Sequence, residues 1–283
     1  METLVAEAAS ADRVAVLRDL VAAAGVLVLS GAGLSTESGI PDYRGPTGAA
    51  RRVTPMTYQA FTGDPLARRR YWARSHLGWG LIDRAEPNAG HRAVAALEAA
   101  GLLAGIVTQN VDGLHQAGGA RSVVDLHGRL DRVVCLQCRA LSRRDELADR
   151  LHEVNPDWDA AVTAVNPDGD VDLPDAELAG FVPVDCAGCA GTLKPDVVFF
   201  GETVPADRVR RGYELVEGAS ALLVLGSSLT VMSGHRFVLR AAKLGIPVAI
   251  VNQGATRGDP YAAVTVDAPL GQVLPELVER LPG

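Results

Sequence analysis

The sequence predicts an α/β protein whose doubly wound parallel sheet is interrupted by two insertions. Short apolar runs, typical of buried strands, each end in a polar or glycine-rich turn. These runs begin at Val26, Ile106, Val123, Leu222 and Val248. Helical patterns lie between several of them, as at 91–100 and 234–244. Because parallel sheets bind ligands at the carboxyl ends of their strands, the polar turns should meet in one crevice.

The two insertions are the segments that do not follow this alternation. Residues 46–87 carry aromatic, arginine and turn residues, and predict a long loop with small helices that covers the crevice. Residues 130–192 hold all four cysteines and a middle part rich in proline and aspartate. We therefore expect one domain from 12–129 and 193–283 and a small module at 130–192.

The composition excludes several classes of protein. With 283 residues, 48% of them apolar, the chain can bury a core without disulfides. A net charge of −7 argues against binding to a nucleic-acid backbone. The long uncharged run at 20–36 is broken by Gly, Ser and Thr, so we expect no membrane span. Residues 1–13 have no basic leader, and we expect a cytoplasmic monomer.

A glycine-rich loop follows the first predicted strand directly, with Gly31-Ala32-Gly33. Glycines at such a place let backbone N–H groups approach a pyrophosphate, which predicts a Rossmann-like nucleotide site. Dehydrogenases have a third glycine where Thr36 stands and an acidic residue about 20 positions on, where Arg51 and Arg52 stand. Hydride transfer is therefore disfavoured, and a plain tight turn remains the alternative.

The cysteines form two Cys-x-x-Cys pairs, Cys135 with Cys138 and Cys186 with Cys189. In a reducing compartment such pairs indicate a metal before a disulfide, and four thiolates make a closed set typical of one structural Zn²⁺. The pairs lie farther apart than the roughly 15–20 residues of common zinc ribbons. A redox dithiol and a nucleic-acid-binding ribbon are the alternatives, the second weakened by the acidic charge.

Five motifs, in order along the chain, resemble the signatures of the sirtuin family. They are GAGLSTESGIPDYRG at 31–45, TQNVDGLH at 108–115, LHG at 126–128, KPDVVFFGE at 194–202 and GSSL at 226–229. The resemblance spans about 25–254. It implies that the chain consumes NAD, transfers an acyl group from a protein or peptide lysine to ADP-ribose, and releases nicotinamide. Protein mono-ADP-ribosyl transfer and a non-catalytic NAD or ADP-ribose sensor are the alternatives.

The resemblance also implies roles for single residues. His127 is the expected base, because histidine titrates near neutral pH, and His115 is its rival. Asn110 and Asp112 complete the catalytic set, although polar caps of strand ends are common. The NAD-binding residues would be Gly31, Ala32, Gly33, Thr36, Asp42, Tyr43, Arg44, Gln109, Asn110, Asp112, Gly226, Ser227, Ser228, Asn252, Gln253, Gly254 and Leu270.

Substrate residues are expected in two places. Val198, Phe199, Gly201 and Leu229 would flank a peptide that adds as an extended strand. Ser233 stands where many relatives carry proline, which leaves the peptide preference open.

The acyl group itself has its own candidate residues, Tyr71 and Arg74, three apart on a predicted helix. They resemble the Tyr-x-x-Arg pair of sirtuins that remove acidic acyl groups, where an arginine fork meets a carboxylate. A solvated basic helix with an inward aromatic is the alternative. RYWAR at 70–74, DRV at 131–133 and NPDGDV at 166–171 resemble class II sirtuins of the mitochondrial lipoamidase type, with an extra loop at about 165–181. We therefore expect weak deacetylation and better removal of bulky or carboxylated groups.

Overall fold

The computed structural model describes residues 2–43, 55–158, 160, 171, 173–178 and 180–280. Arg44, the start of the first insertion and residues 161–170 of the second lie outside the described residues.

The strands, in chain order, form two separate sheets. They are β1 (Val26–Ser30), β2 (Leu103–Thr108), β3 (Val123–Asp125), β4 (Gly128–Cys135), β5 (Leu141–Arg143), β6 (Leu193–Val197), β7 (Ala221–Leu225), β8 (Val248–Val251) and β9 (Val264–Val266). The larger sheet has the order β3-β2-β1-β7-β8-β9 and is parallel throughout. The smaller sheet, β5-β4-β6, is antiparallel. The prediction of a Rossmann-like parallel sheet is confirmed.

The described residues also form nine α-helices. They are α1 (Glu2–Ala22), α2 (Tyr58–Gly63), α3 (Pro65–Asp83), α4 (Ala89–Ala99), α5 (Leu114–Ala117), α6 (Arg144–Val154), α7 (Ala206–Glu217), α8 (Met232–Lys243) and α9 (Leu270–Glu279). Val28 of β1 packs in a core with residues of α1, α4 and α9, whereas Leu29 packs in a second core with residues of α7 and α8. Both residues are fully buried, which explains why the strand is apolar at every position.

The crevice of the larger sheet lies where the chain reverses its direction across the sheet. From β1 the chain moves outward through β2 to β3, and it later returns to the other side of β1 as β7. Ligands of such sheets bind at this switch point, outside the carboxyl ends of the strands.

The described part of the first insertion differs from the predicted loop with small helices. Residues Pro65–Asp83 form one helix of 19 residues, α3. Asp64 starts it, because its side chain accepts a hydrogen bond from Leu66 N and Pro65 fits the first turn. The sequence does not predict α3 as one long helix, because its buried residues, which include Tyr71 and Trp72, do not all lie on one face. None of the helices in the described part of the chain combines the length and the apolar composition that a membrane span requires.

Candidate active site

A cavity of about 750 Å³ lies at the switch point of the larger sheet. Its walls are the loops that follow β1, β2, β6, β7 and β8, together with the start of β4. The structure brings sixteen of the seventeen predicted NAD-binding residues to this cavity: Gly31, Ala32, Gly33, Thr36, Asp42, Tyr43, Gln109, Asn110, Asp112, Gly226, Ser227, Ser228, Asn252, Gln253, Gly254 and Leu270. Arg44 lies outside the described residues. His127, Val198, Phe199, Gly201 and Leu229 line the same cavity.

The glycines of the first loop let two loop backbones touch. A Cβ on Gly33 would lie 2.9 Å from both Cα and O of Gly226, and a Cβ on Gly31 would lie 2.8 Å from the Ser227 Cβ. The N–H of Gly33 donates to Gly226 O, and that of Gly31 donates to Leu225 O. These two donors are therefore used inside the protein, and the glycines serve loop packing rather than offering their own N–H groups to a pyrophosphate.

A short chain of hydrogen bonds holds the polar residues on the floor of the cavity. The Asn110 side chain donates to Ser35 Oγ at 2.9 Å and to Gly31 O at 3.1 Å. Ser35 Oγ donates in turn to Asp112 Oδ2 at 2.7 Å, and Leu114 N donates to the other oxygen. Burial raises the pKa of Asp112 against these hydrogen bonds. Ser35 was missed at the sequence level, although it stands inside the first motif.

His127 lies between β3 and β4 and has a partner on each ring nitrogen. Its Nδ1 is 2.9 Å from Gln109 O, and its Nε2 is 2.8 Å from Ser233 Oγ. Burial, with smaller contributions from Arg208 and Arg236, lowers the pKa of His127 to about 4, although the hydrogen bond to the Gln109 carbonyl opposes this shift. The imidazole is therefore neutral at pH 7, the form that a general base requires.

The rival histidine, His115, lies below the floor of the cavity and does not line it. It is 2% exposed, its Nε2 is 2.8 Å from Ser30 Oγ, and its ring packs edge-on against His91. Burial lowers the pKa of His115 to about 4. Ser30 continues this buried network to Thr108, which accepts from Asn110 N. His115 therefore supports the floor of the cavity from beneath.

An ion pair between the buried Lys194 and the partly exposed Glu202 holds the predicted peptide segment. Lys194 Nζ is 3.1 Å from Glu202 Oε2 and 4.7 Å from the centre of the Phe199 ring. Glu202 also accepts from Phe199 N, and Val198 N donates to His127 O. The strand that would flank a peptide is thus tied to the segment that carries His127.

Tyr71 and Arg74 are not among the residues that line the cavity. The Tyr71 side chain is 1% exposed, and its ring packs against Phe61, Trp72 and Phe199 at 5.1–5.4 Å. Arg74 Nε donates to Val171 O at 2.7 Å, within the insertion between the cysteine pairs. Phe199 lies between Tyr71 and the cavity. In this structure Tyr71 is therefore an aromatic residue packed toward the interior, which is the alternative that the sequence left open.

The four cysteines meet at one end of the smaller sheet. All their sulfur atoms lie within 4.8 Å of one another, and two of the separations are 3.5 and 3.8 Å. A tetrahedral Zn²⁺ with Zn–S bonds of about 2.3 Å needs sulfurs about 3.8 Å apart. Each pair forms a matching turn, with Arg139 N donating to Cys135 O and Ala190 N to Cys186 O. The set fits one structural zinc, as predicted, and none of the four lines the cavity.

Comparisons with known proteins agree with this geometry. The sequence profile described as the Sir2 family matches residues 31–233. NAD-dependent protein deacetylase 1 of Streptomyces coelicolor is 63% identical over 263 residues, which cover 93% of this chain and 88% of that protein. NAD-dependent protein deacetylase 1 of Mycobacterium avium is 51% identical, with coverage of 98% and 97%. A solved structure of Sir2 with a p53 peptide and NAD⁺ has a TM-score of 0.75 at 29% identity and covers 92% of this chain and 95% of its own.

Proposed function

This chain belongs to the Sir2 family of NAD-dependent protein deacetylases, and we propose that it prefers bulky or carboxylated acyl groups on lysine to acetyl. The family-level activity is carried by one observation: a single cavity gathers the NAD motifs, His127 and the peptide segment. We further propose that the chain belongs to the class II branch, which the motifs at 70–74, 131–133 and 166–171 resemble.

The residues of the cavity fit NAD by their chemistry. The loops after β1 and β7 lie at the carboxyl ends of neighbouring parallel strands, where such sheets bind the diphosphate of a dinucleotide, and the Asn110 and Asp112 side chains suit a ribose and a carboxamide. NAD supplies the ribose that accepts the acyl group when nicotinamide leaves. The protein's part is to hold the acyl-lysine beside Phe199, to exclude water, and to accept a proton at His127 Nε2.

The preference for larger acyl groups is supported by the packing behind Phe199. This ring lines the cavity on one side and contacts Tyr71 on the other. Arg74 joins the same region to the insertion through Val171, and Trp158 and Phe181 of that insertion stack near His76 of α3. We infer that a rotation of Phe199 opens an acyl channel toward Tyr71 and Arg74, where a guanidinium and a phenol receive a terminal carboxylate.

A panel of acyl peptides tests this proposal. One peptide carries acetyl, succinyl, glutaryl, hydroxymethylglutaryl, lipoyl or biotinyl lysine, with and without NAD. The wild type should remove the longer groups faster than acetyl. Arg74→Ala should slow glutaryl removal at least tenfold but leave lipoyl removal unchanged, whereas Arg69→Ala, an exposed control on the same helix, should change neither. Fastest removal of acetyl, or equal loss for both acyl groups in Arg74→Ala, contradicts the proposed preference.

A further inference from the structure

The hydroxyl of Ser233 is hydrogen-bonded to the ring nitrogen of His127 that the reaction needs as its base. It lies 2.8 Å from His127 Nε2, and Ser233 is 8% exposed and lines the cavity. The carbonyl of Gln109, which contacts the other ring nitrogen, can only accept a hydrogen bond. Nδ1 therefore carries the ring proton, and Nε2 accepts the proton of Ser233.

With both ring nitrogens engaged, the imidazole has no free lone pair that could accept a hydrogen bond from a second donor. A neutral imidazole has one lone pair in the ring plane, at Nε2 here, and Ser233 occupies it. The Ser233 oxygen itself keeps lone pairs that can accept a hydrogen bond from the cavity. A substrate hydroxyl that approaches the base therefore meets Ser233 Oγ as the available acceptor.

We propose that Ser233 relays the proton from the substrate hydroxyl to His127. The O–H bond of the substrate hydroxyl breaks as a new O–H bond forms at Ser233 Oγ. The former Oγ–H bond breaks as an N–H bond forms at His127 Nε2. Ser233 ends as it began, His127 becomes the cation, and the electron pair of the broken O–H bond stays on the substrate oxygen, which uses it to bond to the acyl carbon. The relay rests on the proposed acyl transfer in this cavity.

The surroundings hold Ser233 for this contact rather than for helix capping. Serine at the start of a helix commonly accepts from a backbone N–H, but Ser233 is the second residue of α8 and bonds to His127 instead. The next residue, Gly234, lets the first turn of α8 approach Gln109, because a Cβ there would lie 2.5 Å from the Gln109 Oε1. Gln109 and α8 thus hold the imidazole from two sides. The partial positive charge at the start of α8 favours negative charge developing on Oγ.

Three variants test the relay: Ser233→Ala, Ser233→Thr, and Ser142→Ala as an exposed control on β5. In the protein without NAD, diethyl pyrocarbonate attacks the unprotonated nitrogen of a histidine, and peptide mass spectrometry locates the product. Ser233→Ala should expose Nε2 and accelerate the reaction at His127 several-fold, while Ser233→Thr and Ser142→Ala should match the wild type. An unchanged rate at His127 in Ser233→Ala overturns the assigned hydrogen bond.

The reaction itself provides the second readout. Exchange of labelled nicotinamide into NAD precedes the proton transfer, so Ser233→Ala should keep it while acyl removal falls about tenfold or more. Ser233→Thr should recover most of the rate. The rate of acyl removal can also be plotted against the deuterium fraction of the solvent. This plot should be curved for the wild type and linear for Ser233→Ala.

Two results would overturn the relay: acyl removal by Ser233→Ala as fast as by the wild type, or parallel loss of exchange and acyl removal. A wild type that removes no acyl group refutes the proposed function and the relay together. In that case the diethyl pyrocarbonate result still reports whether the Ser233–His127 bond exists.

Discussion

Replacing Gly226 with alanine should damage both the stability of the fold and the binding of NAD. Gly226 has a φ of +61°, in the left-handed region, and it follows β7 directly. A Cβ at this position would lie 2.6 Å from Gly33 C and Leu34 N. Both are backbone atoms of the opposite loop, so no flexible side chain can move aside. The two loops that form the floor of the cavity must separate.

The magnitude has two parts. The left-handed conformation costs an alanine about 1–2 kcal/mol, and overpacking against a fixed neighbour costs about 1–3 kcal/mol. Gly226→Ala should therefore lower the free energy of unfolding by about 2–5 kcal/mol. Gly245→Ala is the matched control, because Gly245 has a φ of +71° and no atom within 4 Å of its added Cβ. It should show only the first part.

Urea unfolding gives the two free energies, and titration calorimetry gives the affinity for NAD. Gly245→Ala should bind NAD like the wild type, whereas Gly226→Ala should lose at least tenfold in affinity. Equal stability of the two variants would refute the close approach of the loops. Unchanged NAD affinity in Gly226→Ala would refute the assignment of NAD to this floor.

Further predictions concern the base, the zinc and the buried histidines. His127→Ala should lower acyl removal at least ~100-fold but keep zinc content and unfolding midpoint, and full turnover would refute the assigned base. Cys138→Ser should lose the zinc found by atomic absorption and lower the melting temperature, and retained stoichiometric zinc would contradict the tetrad. Burial lowers the pKa of His91 to about 3 and that of His115 to about 4, against 6.5 when unfolded. Because the unfolded chain then binds more protons, the free energy of unfolding should fall between pH 6.5 and pH 4 by about 3 kcal/mol for each histidine. His115→Asn should lose only the part of the slope that His115 contributes; an unchanged slope in this variant contradicts the shift of His115, whereas a flat wild-type profile contradicts both shifts.

The larger sheet could be predicted because its strands carry their signal locally. The apolar run at 26–29 lies in β1, and the run at 222–225 lies in β7. Both runs are apolar at every position because these strands are buried on both faces. The smaller sheet could not be predicted in this way. Its strand β5 is exposed along its whole length, and β4 pairs with it and with β6 through register that the sequence does not display.

The site shows the same division between local and tertiary signals. Residues directly after strands, such as Asn110 and Ser227, reach the cavity because parallel strands end at one edge. Sequence reasoning does not single out Ser35 and marks Ser233 only as a departure from proline, because their contacts with Asp112 and His127 are made across the fold. Sequence reasoning leaves the inward packing of Tyr71 as an alternative to an acyl contact, because a residue spacing of three fixes a shared helix face but not what that face meets.

The most direct test of the central claim is to identify by mass spectrometry where the acyl group of one acyl-lysine peptide goes. With NAD, the peptide should lose its acyl group, nicotinamide should appear in equal amount, and the acyl group should be found on ADP-ribose. His127→Ala should give no such product. Acyl loss without NAD, or ADP-ribose attached to protein while the peptide keeps its acyl group, would contradict acyl transfer in this cavity.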